Sequence, residues 1–323
     1  MTIASNPGMA RMTNAGAYRG RFAPSPTGPL HFGSLVAALG SYLEAKSHGG
    51  QWLVRMEDVD EPRSQAGAAD DILRALETFG FEWDGAVLVQ SRRGDAYRTA
   101  LEQLRAADCV YPCGCTRREL ALLAVTDSDN PLLAQDGAAI YPGACRNGLP
   151  PGKAARAWRL RAGDEEIAFD DAIQGRFSQN LSRDVGDFVL LRADGFFAYQ
   201  LAVVVDDAEQ GVNAVVRGAD LLDSTPRQIL LQRLLGLPTP QYAHLPVAVD
   251  ANGEKLSKQT LALPVNAAQP VPALLAALRF LGQALPPEPD RENAGLDEVW
   301  RWALRHWRLE NVPQQRSLPA QDL

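Results

Sequence analysis

No apolar run in the 323-residue chain approaches the length of a membrane-spanning helix, which argues against a helical transmembrane protein. The first 18 residues lack the apolar core of a secretory signal. They are small, polar and glycine-containing, and residues 1–18 are expected to form a disordered leader. Basic residues are outnumbered: 32 Lys and Arg face 39 Asp and Glu, a formal net charge of −7. That balance argues against a general electrostatic grip on nucleic acid, though a local basic patch would still serve one. Cysteine is confined to four residues between Cys109 and Cys145. In a chain without an export signal, such clustering suggests a metal rather than disulfides. Internal repeats and long low-complexity segments are missing as well. What is present is ordinary for a soluble, cytoplasmic globular protein. Hydrophobic residues make up 46% and charged residues 22%, in a chain long enough for two domains and a large core.

The chain is organised around Arg21-Phe-Ala-Pro-Ser25-Pro-Thr-Gly-Pro-Leu-His31-Phe-Gly33-Ser34. Tyr18 to Ala23 reads as a short buried strand. Pro24, Pro26, Gly28 and Pro29 interrupt any regular element. Beyond them Leu35, Leu39, Tyr42 and Leu43 recur three to four apart, which predicts a helix. Gly33 and Ser34 then fall where a loop meets the first turn of that helix. Free backbone N–H groups and a positive dipole end suit a phosphate there, and His31 adds a donor beside them. The plainer alternative is a proline-rich loop with a helix cap at Ser34.

Gln51 to Met56 reads as a second strand, running into Glu57-Asp-Val-Asp60-Glu61. Acidic groups at the C-terminal edge of a parallel strand lie where open α/β sheets bind ligands. One carboxylate there suits an ammonium group; for Asp60 and Glu61 a solvated turn capping the next helix is preferred. Stripes at Ile72, Leu73, Leu76 and Phe79, and at Tyr97, Leu101 and Leu104, predict two core helices. The alternation of strand and helix argues for a parallel, doubly wound sheet. Cys113 and Cys115 are close enough to share one tetrahedral ion, and cysteine counting alone completes the set with Cys145 and Cys109. Leu122 to Ala139, Asp-rich and turn-like, is expected to be an exposed loop. Arg156–Leu160 and Asp187–Arg192 read as strands, with a hairpin turn at Asp194-Gly195. Phe196 to Asp207 is a buried element with Tyr199 and Asp206 as polar exceptions. Arg217, after two valines, is either a surface residue or a carboxylate clamp, a role its planar fork suits. Thr225-Pro opens a helix. Lys255-Leu-Ser257-Lys258 is either a solvated loop or an anion grip. Leu274, Leu275, Leu278 and Leu281, then Val299, Trp300, Leu304 and Trp307, mark two packing helices.

Phe-Ala-Pro-Ser-Pro-Thr-Gly followed by Leu-His-x-Gly, with Lys255-Leu-Ser-Lys258 far downstream, resembles the two signatures of the glutamyl/glutaminyl branch of class I aminoacyl-tRNA synthetases. The family's usual His-x-Gly-His ends here in Ser34, and Gln259 stands where a serine usually closes the second signature. The resemblance runs from Arg19 to about Arg308. It implies an α/β, Rossmann-like catalytic domain with a zinc-binding insertion and a short helical C-terminal region. By the same resemblance His31, Gly33, Ser34, Lys255, Ser257 and Lys258 bind ATP, with His31 and Lys258 catalytic. Arg21, Ser25, Glu57, Tyr199 and Arg217 bind L-glutamate, and Mg2+ accompanies the ATP.

Cys-x-Cys followed by Tyr-x3-Cys is similar to the zinc site of truncated paralogues in this branch. Their acceptor is queuosine in the anticodon loop of tRNA(Asp). This implies one structural Zn2+ on Cys113, Cys115, Tyr141 and Cys145, and leaves Cys109 as a small buried hydrophobe. The implied activity is ATP-dependent, tRNA-independent activation of glutamate to glutamyl-adenylate, then transfer to queuosine at the wobble position. An ordinary glutamyl-tRNA synthetase charging the 3′ end and an inactive glutamate- or tRNA-binding paralogue are the alternatives. The expected organisation places the first half of the catalytic domain at 19–108 and the zinc-binding insertion at 109–150. The second half, with the acceptor-binding region, falls at 151–235, and the Lys-Leu-Ser-Lys loop with C-terminal helices at 236–323. No anticodon-binding domain is expected, and the protein is expected to be a monomer.

Overall fold

The computed structural model describes residues 16–116, 118–120, 140–250, 253–254, 265–291 and 294–320. Most of the expected leader, the loop from Leu122 to Ala139 and the Lys255–Lys258 loop therefore lie outside the described residues.

Strand β1 (Arg19–Phe22) pairs in parallel with β2 (Gln51–Met56), placing Arg21 opposite Leu53, and β2 pairs in parallel with β3 (Leu88–Val89). Helix α1 (Phe32–Ser47) makes the first crossover, α2 (Ala68–Thr78) covers the next, and α3 (Gly94–Ala106) follows β3. Nearly every residue of α1 from Leu35 to Ala45 is buried, on all sides of the helix. Such a helix is enclosed rather than laid on a surface, which explains why its sequence stripe underreports its burial.

A second sheet runs in the order β7-β6-β10-β9. Strands β9 (Ala214–Gly218) and β10 (Gln241–Leu245) are parallel, and β10 meets β6 (Glu166–Asp171) in parallel through Tyr242 and Asp171. The antiparallel β7 (Gly175–Asn180) closes the edge. Strand β1 lies beside β9, and Asn213 N donates to Arg19 O at 3.1 Å while Arg19 N donates to Asn213 Oδ1 at 2.8 Å. The two sheets thus meet along one seam.

One apolar cluster on this framework joins α1 to Phe22, Trp52, Val54 and the C-terminal helices. Another joins Tyr97, Leu101 and Leu104 of α3 to Leu201, Ile229 and Leu231. Burying a large side chain such as Leu39 or Leu104 contributes about 2 kcal/mol, so covering both faces stabilises the sheet strongly. The expected doubly wound arrangement is present. The buried element after Phe196 is helix α4 (Tyr199–Glu209), and Thr225 opens α5 (Thr225–Leu235).

Helices α6 (Pro270–Phe280) and α7 (Leu296–His306) pack onto α1 through Leu274, Leu278, Val299 and Trp300. Leu304 departs from the expected packing stripe and is 36% exposed, because Val299, Trp300 and Ala303 already fill the inner face of α7. A small antiparallel sheet of β4 (Val110–Cys113), β5 (Ala157–Leu160) and β8 (Val189–Leu191) stands apart. It carries a separate cluster of Tyr111, Cys113, Tyr141 and Cys145. Among the described residues no helix is long and apolar enough to cross a membrane.

Candidate active site and metal centre

The parallel strands β1, β2 and β9 point their C-terminal ends at one cavity of about 410 Å³. The proline-rich loop after β1 forms one wall, and Glu57 N donates to Pro24 O at 2.9 Å, fastening the end of β2 to it. Arg21, Ser25, His31, Gly33, Ser34, Glu57, Tyr199 and Arg217 all line this cavity. Every expected ATP or glutamate residue within the described part of the chain is therefore brought together. Lys255, Ser257 and Lys258 lie outside the described residues.

Helix α1 begins at this wall with no acidic residue in its first turn, so its dipole end faces the cavity unopposed by a carboxylate of that turn. His31, in extended backbone, is its N-cap: Nδ1 accepts from Ser34 N at 3.3 Å, and Nε2 lies 3.0 Å from Ser34 Oγ. Ser34, in the position of the family's second histidine, thus contacts the first one directly. The expected cap at Ser34 is in fact His31.

Two buried carboxylates and two buried arginines form a continuous network beneath the cavity. Asp207 accepts from Arg21 Nε at 3.2 Å and from Arg55 Nη1 at 2.7 Å, and Arg55 Nη2 donates to Glu57 Oε1 at 3.0 Å. Burial pushes the Asp207 carboxyl up, but Arg21 and Arg55 more than offset it and hold it below the ordinary aspartate value. At Glu57 burial wins over Arg55 and Arg21, and its carboxyl is raised above the ordinary glutamate value. Burial also raises the Tyr199 phenol, against the pull of Arg217, so it stays protonated.

Arg217, fourth residue of β9, is held from a different side. Its Nε donates to His244 Nε2 at 3.0 Å, and its Nη2 donates to Thr225 Oγ1 and Gln228 Oε1, both at 2.9 Å. Nη1 lies 3.4 Å from the Tyr199 hydroxyl. Burial, helped by the charge of Arg217, lowers the His244 imidazole to about 4 despite Asp171. Arg217 is thus a buried cavity residue rather than a surface one.

Sequence reasoning missed Asp207, Arg55, Asp171, His244 and Gln228. A charged residue inside an apolar strand, such as Arg55, was the available signal. Asp206, singled out as a polar exception, has a structural role: it accepts from Gln90 and Tyr97 at 2.7 Å and from Arg93 at 2.6 Å. Asp60 makes no side-chain cap; it pairs with Arg63 at 2.6 Å and Arg192 at 2.8 Å, because two guanidinium groups compete with a helix N–H.

At the small sheet, the sulfurs of Cys113, Cys115 and Cys145 lie within 4.8 Å of one another. The Tyr141 hydroxyl lies 3.5 Å from Cys113 Sγ and 3.8 Å from Cys115 Sγ, and accepts from Cys145 N at 2.8 Å. Burial raises the Cys113 thiol, but hydrogen bonds from Tyr141, Cys115 and Arg159 outweigh it and bring it to about 7. Burial and the neighbouring Cys145 push Cys115 up to about 11. Cys109 does not join the cluster. It is half-buried against the second apolar cluster, with Sγ 3.5 Å from Ala107 O, so both the four-thiolate set and the fully buried reading fail. Three sulfurs and one phenol oxygen around a common point fit the donor set of a closed zinc site.

A parallel sheet wound on both faces, with acidic and basic groups and a helix N-terminus converging at its strand ends, is the ligand-binding arrangement of a doubly wound α/β protein. The chain belongs to the family of class I tRNA synthetases (E and Q), whose catalytic-domain model matches residues 17–271. It is 63% identical over 303 residues to the glutamyl-Q tRNA(Asp) synthetase of Aromatoleum aromaticum, covering 94% of this chain and 93% of that protein. It is 61% identical over 305 residues to the protein of the same name from Dechloromonas aromatica, covering 94% and 99%. The structure is similar to the glutamate-tRNA synthetase of Elizabethkingia anophelis, with a TM-score of 0.76 at 28% identity, across 94% of this chain and 68% of that one.

Proposed function

We propose that the protein activates L-glutamate with ATP and transfers the glutamyl group to queuosine of tRNA(Asp). The α-carboxylate of glutamate attacks the α-phosphorus of ATP in line, forming glutamyl-adenylate and releasing pyrophosphate. A hydroxyl of the acceptor then attacks the acyl carbon, gives up its proton, and AMP leaves. The protein's part is positioning and charge neutralisation.

Glu57 receives the ammonium group of glutamate. Arg217 receives the side-chain carboxylate with Tyr199 beside it, while Arg21 and Ser25 complete the pocket. His31, Gly33, Ser34 and the start of α1 hold phosphate oxygens. Lys255, Ser257 and Lys258 meet the leaving pyrophosphate, and Mg2+ travels with ATP. One Zn2+ on Cys113, Cys115, Tyr141 and Cys145 is structural, since four protein ligands leave no open position. The protein acts as a cytoplasmic monomer.

The observation that carries the amino-acid reading is the charge pattern of the pocket. Arg21 and Arg55 are matched by Asp207 and Glu57, whereas the partners of Arg217 are neutral. A buried cation in that state favours a ligand bringing its own carboxylate. The acceptor follows the relatives' name. The test charges tRNA from cells with and without queuosine using labelled glutamate. Label is expected only on queuosine-containing tRNA(Asp), within an anticodon fragment. Label at the 3′ adenosine of both preparations would assign the protein to ordinary glutamyl-tRNA synthesis. Pyrophosphate exchange without any tRNA is also expected, and strict dependence on added tRNA would count against this reading.

A further inference from the structure

Among the described residues, the side chains that hold Arg217 from behind are neutral. Its nearest acceptors are the imidazole of His244, the hydroxyl of Thr225 and the amide oxygen of Gln228, with the Tyr199 hydroxyl and Leu221 O farther off at 3.4 Å. Among the described residues no carboxylate forms an ion pair with it, in contrast to Arg21 and Arg55. The imidazole can accept only because its other nitrogen carries the proton. Asp171 Oδ2 sits 2.6 Å from His244 Nδ1 and takes that Nδ1–H, leaving Nε2 bare toward Arg217. The carboxylate itself is fixed. Its Oδ1 accepts the backbone N–H groups of Ile173, Gln174 and His244 at 3.0, 2.9 and 3.0 Å. Gln228 is oriented in the same way: its Nε2 donates to Gln200 Oε1 at 2.9 Å, which turns Oε1 to the guanidinium. His244 and Asp171 are both buried.

We propose that Asp171 and His244 are positioning residues: they anchor Arg217 through a neutral acceptor, leave its charge for the substrate's side-chain carboxylate, and so set the preference for glutamate over glutamine. A carboxylate placed directly on Arg217 would neutralise it and erase the preference. Asp171 sits one imidazole away, so it fixes the geometry without forming the ion pair. The inference rests on the reading that Arg217 contacts glutamate.

The test measures pyrophosphate exchange with glutamate, glutamine and ATP varied in turn, together with thermal unfolding. Asp171→Asn keeps an oxygen for the three backbone amides but turns an NH2 toward Nδ1. The imidazole must then present Nε2–H to the N–H of Arg217, donor against donor. Asp171→Asn and His244→Phe are each expected to raise the KM for glutamate about tenfold or more and to lower glutamate-over-glutamine discrimination by a similar factor, with the KM for ATP unchanged. His244→Gln, which offers an oxygen to Arg217 and an NH2 to Asp171, is expected to restore most of both. Arg217→Lys tests the underlying reading separately: an unchanged glutamate KM there would remove Arg217 from the pocket and the inference with it. If Arg217→Lys is impaired while Asp171→Asn and His244→Phe keep wild-type glutamate KM and discrimination, the inference alone is overturned. It is overturned equally if the KM values for ATP and glutamate rise together, which is the signature of a merely structural role.

Discussion

Asp207 and Arg55 form the buried joint beneath the cavity: Arg55 Nη1 lies 2.7 Å from Asp207 Oδ1, and Arg55 passes the contact on to Glu57. Asp207 serves Arg21 with the same carboxylate. Removing its charge leaves two buried guanidinium groups short of an anion. Asp207→Asn, nearly the same size, is therefore expected to destabilise the fold by about 3–5 kcal/mol in urea unfolding. The folded value of Asp207 is depressed, so its contribution is present above the ordinary aspartate pKa. It is lost as pH falls from about 4 through the folded value. Acid unfolding of the wild type should accelerate in that window, and Asp207→Asn should lose that component. A urea midpoint equal to the wild type would remove Asp207 from this role.

Glu57 titrates in the opposite direction. Burial raises its carboxyl despite Arg55 and Arg21, so keeping it ionised costs stability above the ordinary glutamate pKa, and the cost fades as pH falls. An ammonium ligand needs the ionised form. The kcat/KM for glutamate is expected to fall on the acid side with a midpoint above about 4.5, the ordinary glutamate value, with slope one. Glu57→Gln should remove that limb and raise the glutamate KM about tenfold or more. A profile for glutamate that stays flat down to the onset of acid unfolding would contradict the assignment.

The frame of this site was legible because it is written in local signals. The prolines before His31, the valines before Arg217 and the acidic end of β2 mark strand ends, and parallel strand ends converge. The residues that hold the site were not legible. Asp207 stands beside Asp206 in one apolar run, yet one organises the pocket and the other a structural cluster with Tyr97 and Arg93. Only the phase of α4 separates them. Asp171 and His244 lie 73 residues apart, and only the parallel pairing of β6 with β10 brings them together. Leu304 misled for the complementary reason: a helical stripe gives periodicity, not the width of the face that its neighbours leave open.

Substitution separates the two proposed ligand sets, the four thiolates that cysteine counting alone chooses and the three thiolates with Tyr141 that the resemblance implies. Cys113→Ser is expected to lose zinc and to lower the unfolding temperature, whereas Cys109→Ser keeps zinc, because its sulfur faces Ala107 O away from the cluster. Wild-type protein should carry about one zinc per chain by elemental analysis, as one closed site requires. Loss of metal in Cys109→Ser as well as in Cys113→Ser would reinstate the four-thiolate set.

Gly186 offers a test of the same centre in which no proposed ligand is itself substituted. It has φ of +74° and bridges in parallel to Tyr141. A Cβ added there would lie 2.7 Å from both Tyr141 N and Tyr141 O, which is backbone and cannot swing aside. Alanine must therefore push the Tyr141 backbone outward and draw its hydroxyl away from the three sulfurs. Gly148 supplies the control. Its φ is +124°, so alanine is strained there too, but among the described residues nothing lies within 4 Å of the added carbon. Backbone strain of this kind costs about 1–3 kcal/mol at either position, so stability alone does not distinguish them. Zinc affinity does. In competition with a chromophoric chelator, Gly186→Ala is expected to bind zinc about tenfold or more weakly, the scale at which supporting contacts act on a metal site. Gly148→Ala should bind as the wild type. Because the displaced tyrosine is one of four ligands in the proposed set, the Gly186→Ala protein should still take up zinc at saturating metal. Equal affinities for the two variants would mean that Tyr141 contributes nothing to the bond, leaving three thiolates to hold the ion.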